Sequence, residues 1–111
     1  MYTNADGICS KLPEFKDRIQ TTNPDIICIT ETKLESMITD EALGLEQYNI
    51  WRKERKNKGG GGILILTKKE LTATEVELPT TTYAEVLAIE IKTKRGSLLV
   101  ATTYIAPKTD I

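Results

Sequence analysis

Pro24-Asp25-Ile26-Ile27-Cys28-Ile29-Thr30-Glu31-Thr32-Lys33 is the stretch on which the fold turns. Ile26 to Ile29 form a continuous apolar run, short and mostly β-branched, directly after Pro-Asp. Such a run reads as a strand covered on both faces, because a strand with one wet face alternates apolar and polar residues. Glu31 stands just past its C-terminal end. Open α/β folds bind ligands beyond the carboxyl ends of their strands, so Glu31 is the first residue to weigh for chemistry. The plainer alternative is a solvated glutamate at a strand end.

On the N-terminal side, Leu12, Phe15 and Ile19 recur at helical spacing, with Glu14, Lys16, Asp17, Arg18 and Gln20 on the other face. Residues 11–21 are therefore predicted to form an amphipathic surface helix. Ser10 is placed to cap it and Pro13 lies in its first turn. Thr22-Asn23-Pro24 stops it, since the residue before proline is pushed out of the helical region. Met1-Tyr2-Thr3-Asn4 reads as the end of a strand, and Asp6-Gly7 as a turn. Strand, helix and buried strand together make one βαβ unit. Asn4 then ends its strand as Glu31 ends the next.

On the C-terminal side, Lys33 to Gln47 reads as a surface loop bordering the Glu31 end, with a helical turn at Thr39–Leu43 broken by Gly44. Tyr48 to Trp51 is a brief strand. Residues 52–69 carry seven bases and one acid. That stretch begins with Arg52, Lys53, Arg55 and Lys56, which form either a solvated loop or a rim that contacts phosphates. Gly59 to Gly62 precede the apolar strand Ile63–Leu66. No Lys-Ser pair follows at a helix start, so the glycines are not a P-loop; they suit a turn where backbone packs on backbone. Leu71–Leu78, Ala84–Lys92 and Ser97–Tyr104 are further strands, the last two joined by an Arg95-Gly96 hairpin. Short turns after residue 62 call for antiparallel neighbours.

The 111 residues amount to one domain or part of one. The first strand starts abruptly and residues 105–111 lead to no visible element, so the chain reads as cut at both ends. Its net charge of -1 excludes a globally basic nucleic-acid binder but not a local basic face. Histidine is absent, which excludes histidine acid–base chemistry within these residues, and the two cysteines alone cannot build an ordinary structural zinc site. Cys9 and Cys28 form no disulfide pattern, which favours a reducing, intracellular compartment. No apolar stretch approaches membrane-spanning length.

In this order the landmarks resemble the N-terminal portion of the endonuclease/exonuclease/phosphatase superfamily, and most of all the endonuclease domains of non-LTR retrotransposons. The residues that carry the resemblance are Thr3-Asn4, the Lys11–Ile19 helix, Pro24-Asp25-Ile26-Ile27, Thr30-Glu31-Thr32, Tyr48, Gly59–Gly62 before a strand, and Tyr104 near Pro107. The resemblance implies a deoxyribonuclease I-like two-sheet α/β sandwich with outer helices, of which the chain supplies about the first half. It implies that Glu31 ligates an essential divalent cation, magnesium or manganese. It also implies that Asn4 is the active-site asparagine and that Tyr104 lines the phosphate site.

By the same resemblance the substrate is DNA, with RNA or another phosphodiester as the alternative. Retroelement relatives nick target DNA, which places such a protein in the nucleus. The family's aspartate–asparagine segment, a further metal-site carboxylate and the final aspartate–histidine pair have no counterpart in these residues. The chain alone is therefore expected to be inactive or nearly so; the competing reading is a non-catalytic remnant kept as a binding or structural module. A half-sandwich leaves one sheet face uncovered and edges open, so self-association is also expected.

Overall fold

The computed structural model describes residues 1–34, 38–53, 61–77 and 84–105. Strand β1 (Tyr2–Asn4) leads through a single 3-10 turn, Cys9–Lys11, into helix α1 (Leu12–Thr22) and then strand β2 (Ile26–Thr30). β1 and β2 pair in parallel, Asn4 opposite Thr30, so the βαβ unit forms as predicted. Pro13 sits in the first turn of α1. Asn23 takes the left-handed conformation that closes the helix, its N–H donating to the Ile19 carbonyl at 2.7 Å. Ser10 does not cap α1: its hydroxyl donates to the Gly7 carbonyl, and the helix start has no side-chain cap. The intervening 3-10 turn shifts the helix start past the reach of Ser10.

Helix α2 (Asp40–Leu43) is one turn, capped by Thr39 and ended by Gly44. The segment around it is more than a surface loop, because Leu34, Leu43 and Leu45 are buried in the core beneath α1. Strands β3 (Tyr48–Lys53) and β4 (Ile63–Lys68) complete the first sheet, in the order β1-β2-β4-β3. β5 (Thr72–Val76), β6 (Ala84–Thr93) and β7 (Gly96–Ile105) form a second, antiparallel sheet.

The short turn after β4 therefore does not make a hairpin with β5. Both edges of β4 are already taken, one by β2 and the other by β3. A tight turn, closed by the Leu71 N–H on the Lys68 carbonyl, carries the chain into the other sheet instead. The Arg95-Gly96 hairpin does form, with Thr93 opposite Gly96.

Burial explains the run at Ile26–Ile29. Ile27 and Ile29 face α1, together with Phe15, Ile19, Leu64 and Leu66. Ile26 and Cys28 face the second sheet, together with Ile63, Ile65, Leu87, Ile89 and Ile91. β2 and β4 are thus apolar on both faces because both faces are covered. The layers run α1, first sheet, second sheet. Beyond the second sheet no described helix packs. Leu98 and Leu99 on β7 are 49% and 58% exposed, and among the described residues β7 pairs with β6 alone.

Candidate active site

Strand register decides which residues share an end of the molecule. Thr30 is opposite Asn4 on one side and Ile63 on the other, and Ile63 is opposite Lys53. The C-terminal ends of β1, β2 and β3 and the glycine turn before β4 therefore form one rim. The C-terminal end of β7 joins it, since Tyr104 donates its hydroxyl hydrogen to Glu31 Oε1 at 2.7 Å. Asn4, Glu31 and Tyr104, which the sequence placed separately at strand ends, lie together.

Glu31 is half-buried in this rim. Its backbone is left-handed, with φ 52°, a conformation that costs an L-residue about 1–2 kcal/mol. Asp6 and Lys33 are also left-handed. The bend is held by backbone bonds: Gly7 N–H to the Glu31 carbonyl, Ile8 N–H to the Thr32 carbonyl, and Lys33 N–H to the Gly61 carbonyl. Three non-glycine residues in strained backbone around one carboxylate mark a place where structure is spent on aiming a side chain.

The electrostatics follow from the donors. Hydrogen bonds from Tyr104 first and Asn4 second hold the Glu31 carboxyl below the usual glutamate range. Both donors are neutral, so the carboxylate stays ionised and keeps most of its charge to offer. Beside it, the Lys33 ammonium sits 2.6 Å from Asp6 Oδ1. That contact lowers the Asp6 carboxyl and raises Lys33. Asn4 Oδ1 also accepts the Asp6 N–H at 3.2 Å, which fixes the turn carrying Asp6.

Asp6 and Lys33 were not singled out from sequence. Asp6 carried the ordinary signature of a turn, and a second acid two residues after Asn4 was the available signal. The basic residues divide. Arg52 reaches back to α2, donating to Asp40 Oδ1 at 2.9 Å and to the Ile38 carbonyl. Lys53 ends β3 at the rim. Arg55 and Lys56, with Gly59, Gly60 and Pro107, lie outside the described residues.

The donors at the rim are hard oxygens: two carboxylates, an amide and a phenol. They suit magnesium or manganese, which bind through one or two carboxylates and keep several waters. A structural zinc would want cysteine and histidine ligands in a closed set of about four. Among the described residues no group of three or more His, Cys, Asp or Glu side chains forms a cage.

A two-sheet α/β sandwich with an ionised carboxylate, an asparagine and a tyrosine at one rim defines the class. Residues 2–109 match the Endonuclease/Exonuclease/phosphatase family, and the chain belongs to it. Among curated proteins it is similar to a probable RNA-directed DNA polymerase from transposon BS of Drosophila melanogaster, 24% identical over 108 residues. That match takes in 97% of this chain and 12% of the Drosophila protein. Among solved structures it is similar to an AP endonuclease from Archaeoglobus fulgidus, with TM-score 0.62, 21% identity, and 88% of this chain on 38% of that one. It is also similar to D. rerio TDP2 complexed with a single-strand DNA product, with TM-score 0.67, 14% identity, and 98% of this chain on 46% of that one. At these identities the structural likeness is one of fold. The chain spans less than half the length of each of these relatives.

Proposed function

We propose that this chain carries the cation- and phosphate-binding part of a magnesium-dependent phosphodiesterase site, in a retroelement-type endonuclease that nicks DNA. The observation that carries the proposal is the Glu31 carboxylate, kept ionised at the rim by two neutral donors, Tyr104 and Asn4. The transposon relative favours the retroelement setting, and the D. rerio relative, with its single-strand DNA product, favours a nucleic-acid substrate. Manganese would substitute for magnesium at such a donor set.

In this reading Glu31 holds the cation, with Asp6 alongside. A bound divalent cation supplies positive charge to the phosphate oxygens on which negative charge develops. Tyr104 donates to Oε1, which fixes the carboxylate plane for a cation. Asn4 spaces the Asp6 turn from Glu31 without adding charge. Lys53, at the end of β3, adds positive charge to the rim for a nucleic-acid backbone, and Arg55 and Lys56 follow it closely in the sequence. Localisation in the nucleus goes with this reading.

One observation favours a second reading, a module that binds without turning over. The sequence has no histidine, and Glu31 and Asp6 would be taken up by the cation in this reading, which leaves the attacking water without an assigned base. Plasmid nicking by the purified 111-residue chain in magnesium separates the two. The proposal expects manganese and DNA binding with little or no nicking by this length of chain. Absence of both kinds of binding overturns it. Nicking that Glu31→Gln abolishes establishes the site and overturns the inactivity of this length alone.

A further inference from the structure

The second sheet reaches Glu31 directly through Tyr104 and the backbone behind it through a second side chain. Glu85 lies on β6 directly opposite Tyr104 on β7. Residues opposite one another in an antiparallel pair share a face and stand side by side, so both side chains reach toward the first sheet. Tyr104 takes Glu31 itself. Glu85 Oε1 accepts the Gly62 N–H at 2.8 Å, across the gap between the sheets.

Gly62 in turn holds the segment after Glu31. Its carbonyl accepts the Thr32 N–H at 3.3 Å, and the carbonyl of Gly61 accepts the Lys33 N–H at 2.9 Å. Gly62 has φ +94°, and a Cβ there would stand 2.4 Å from Thr32 Oγ1. The glycine turn therefore presses directly on the bend that aims Glu31. Glycine backbone has little stiffness of its own, and the carboxylate of Glu85 fixes Gly62 with a charge-assisted bond.

We infer that Glu85 is a positioning residue: by holding Gly62 it fixes the Thr32–Lys33 backbone and so the setting of Glu31 toward its ligand. The part of this inference that concerns the ligand rests on the reading of Glu31 as a cation-binding carboxylate. The mechanical part does not. β6 and β7 then act as one jaw, with Tyr104 on the carboxylate and Glu85 on the backbone behind it.

The test uses the whole 111-residue chain, with amide hydrogen exchange by NMR and manganese titration. Glu85→Ala should speed exchange at Gly62, Thr32 and Lys33 by about tenfold, the loss of one strong hydrogen bond. Exchange at Ile27 and Ile65 should stay within about twofold, because a local brace leaves the core unopened. Glu85→Gln keeps an acceptor oxygen and should restore most of the protection, along with manganese affinity. Glu85→Asp, too short to reach Gly62 without strain, should open the same three amides, and it decides the matter if the alanine variant does not fold.

The inference is overturned if the three amides are unmoved, if they move only together with Ile27 and Ile65, or if Glu85→Gln behaves like Glu85→Ala. Should the wild-type chain bind no manganese, the reading of Glu31 fails, while the exchange pattern still judges the brace.

Discussion

Replacing Gly62 by alanine probes the contact between the glycine turn and the Glu31 bend. The residue has φ +94°, and left-handed backbone costs an alanine about 1–2 kcal/mol. Its new Cβ would stand 2.4 Å from Thr32 Oγ1 and 3.5 Å from Lys33 N. Thr32 is 1% exposed, so its hydroxyl has no free space to retreat into. Overpacking of this kind adds about 1–3 kcal/mol, which brings the expected loss to about 3 kcal/mol.

Gly44 supplies the control. It has φ +67°, and its Cβ would meet Lys16 Nζ at the same 2.4 Å. That atom ends a flexible side chain and moves away cheaply, so Gly44→Ala should cost about 1 kcal/mol from backbone alone. Urea unfolding at constant m reads both losses. Thr32→Ala in the Gly62→Ala background should recover about 1–2 kcal/mol by removing the struck oxygen. Equal losses at the two glycines, or a Gly62→Ala loss that Thr32→Ala leaves intact, would refute the reasoning.

Other outcomes follow from the same geometry. The Tyr104 bond lowers the Glu31 carboxyl, so its contribution to stability is full above the ordinary glutamate range and is lost as pH falls through the lowered value. The stability difference between wild type and Tyr104→Phe, measured by urea unfolding across pH, should be constant near neutrality and shrink in acid; a difference that grows in acid contradicts this. Tyr48, 3% exposed, donates to the Pro24 carbonyl at 2.6 Å, so Tyr48→Phe should cost about 1 kcal/mol in the same assay. Neutralising Lys53, Arg55 and Lys56 should flatten the log–log salt dependence of DNA retention by about 0.9 for each phosphate that is no longer neutralised. Arg52 is left out of that set because Asp40 and the Ile38 carbonyl already engage it. Among the described residues β7 has one unpaired edge, and with the exposed Leu98 and Leu99 this leads us to propose concentration-dependent self-association, to be read by sedimentation velocity. A monomer at all concentrations would remove that proposal.

Much of the fold was legible because its signals are local. The apolar run at Ile26–Ile29, the helical spacing of Leu12, Phe15 and Ile19, and the Arg95-Gly96 turn each specify an element within a few residues. What happens after Lys68 was not legible, because the destination of β5 depends on β2 and β3 having filled both edges of β4. Ser10 misled for a similar reason, since it falls within a 3-10 turn before the helix and its hydroxyl bonds back to the Gly7 carbonyl.

At the candidate site, Asn4, Glu31 and Tyr104 were singled out through their positions at strand ends and the family resemblance. Their meeting joins residues 73 apart in the chain and needed the packing of two sheets. Asp6, Lys33 and Glu85 were missed because each looks like a turn residue or a surface charge until the neighbouring strands are in place. The roles of Arg55 and Lys56 lie beyond the described residues.

The central claim is that Glu31 is an ionised carboxylate set to hold a divalent cation. Manganese titration of the isotope-labelled chain, followed by paramagnetic broadening, tests it most directly. The account predicts saturable broadening centred on Asn4, Asp6, Glu31 and Tyr104, lost in Glu31→Gln while the core spectrum is unchanged. Broadening spread over unrelated surface acids, or a rim signal that survives Glu31→Gln, would contradict it.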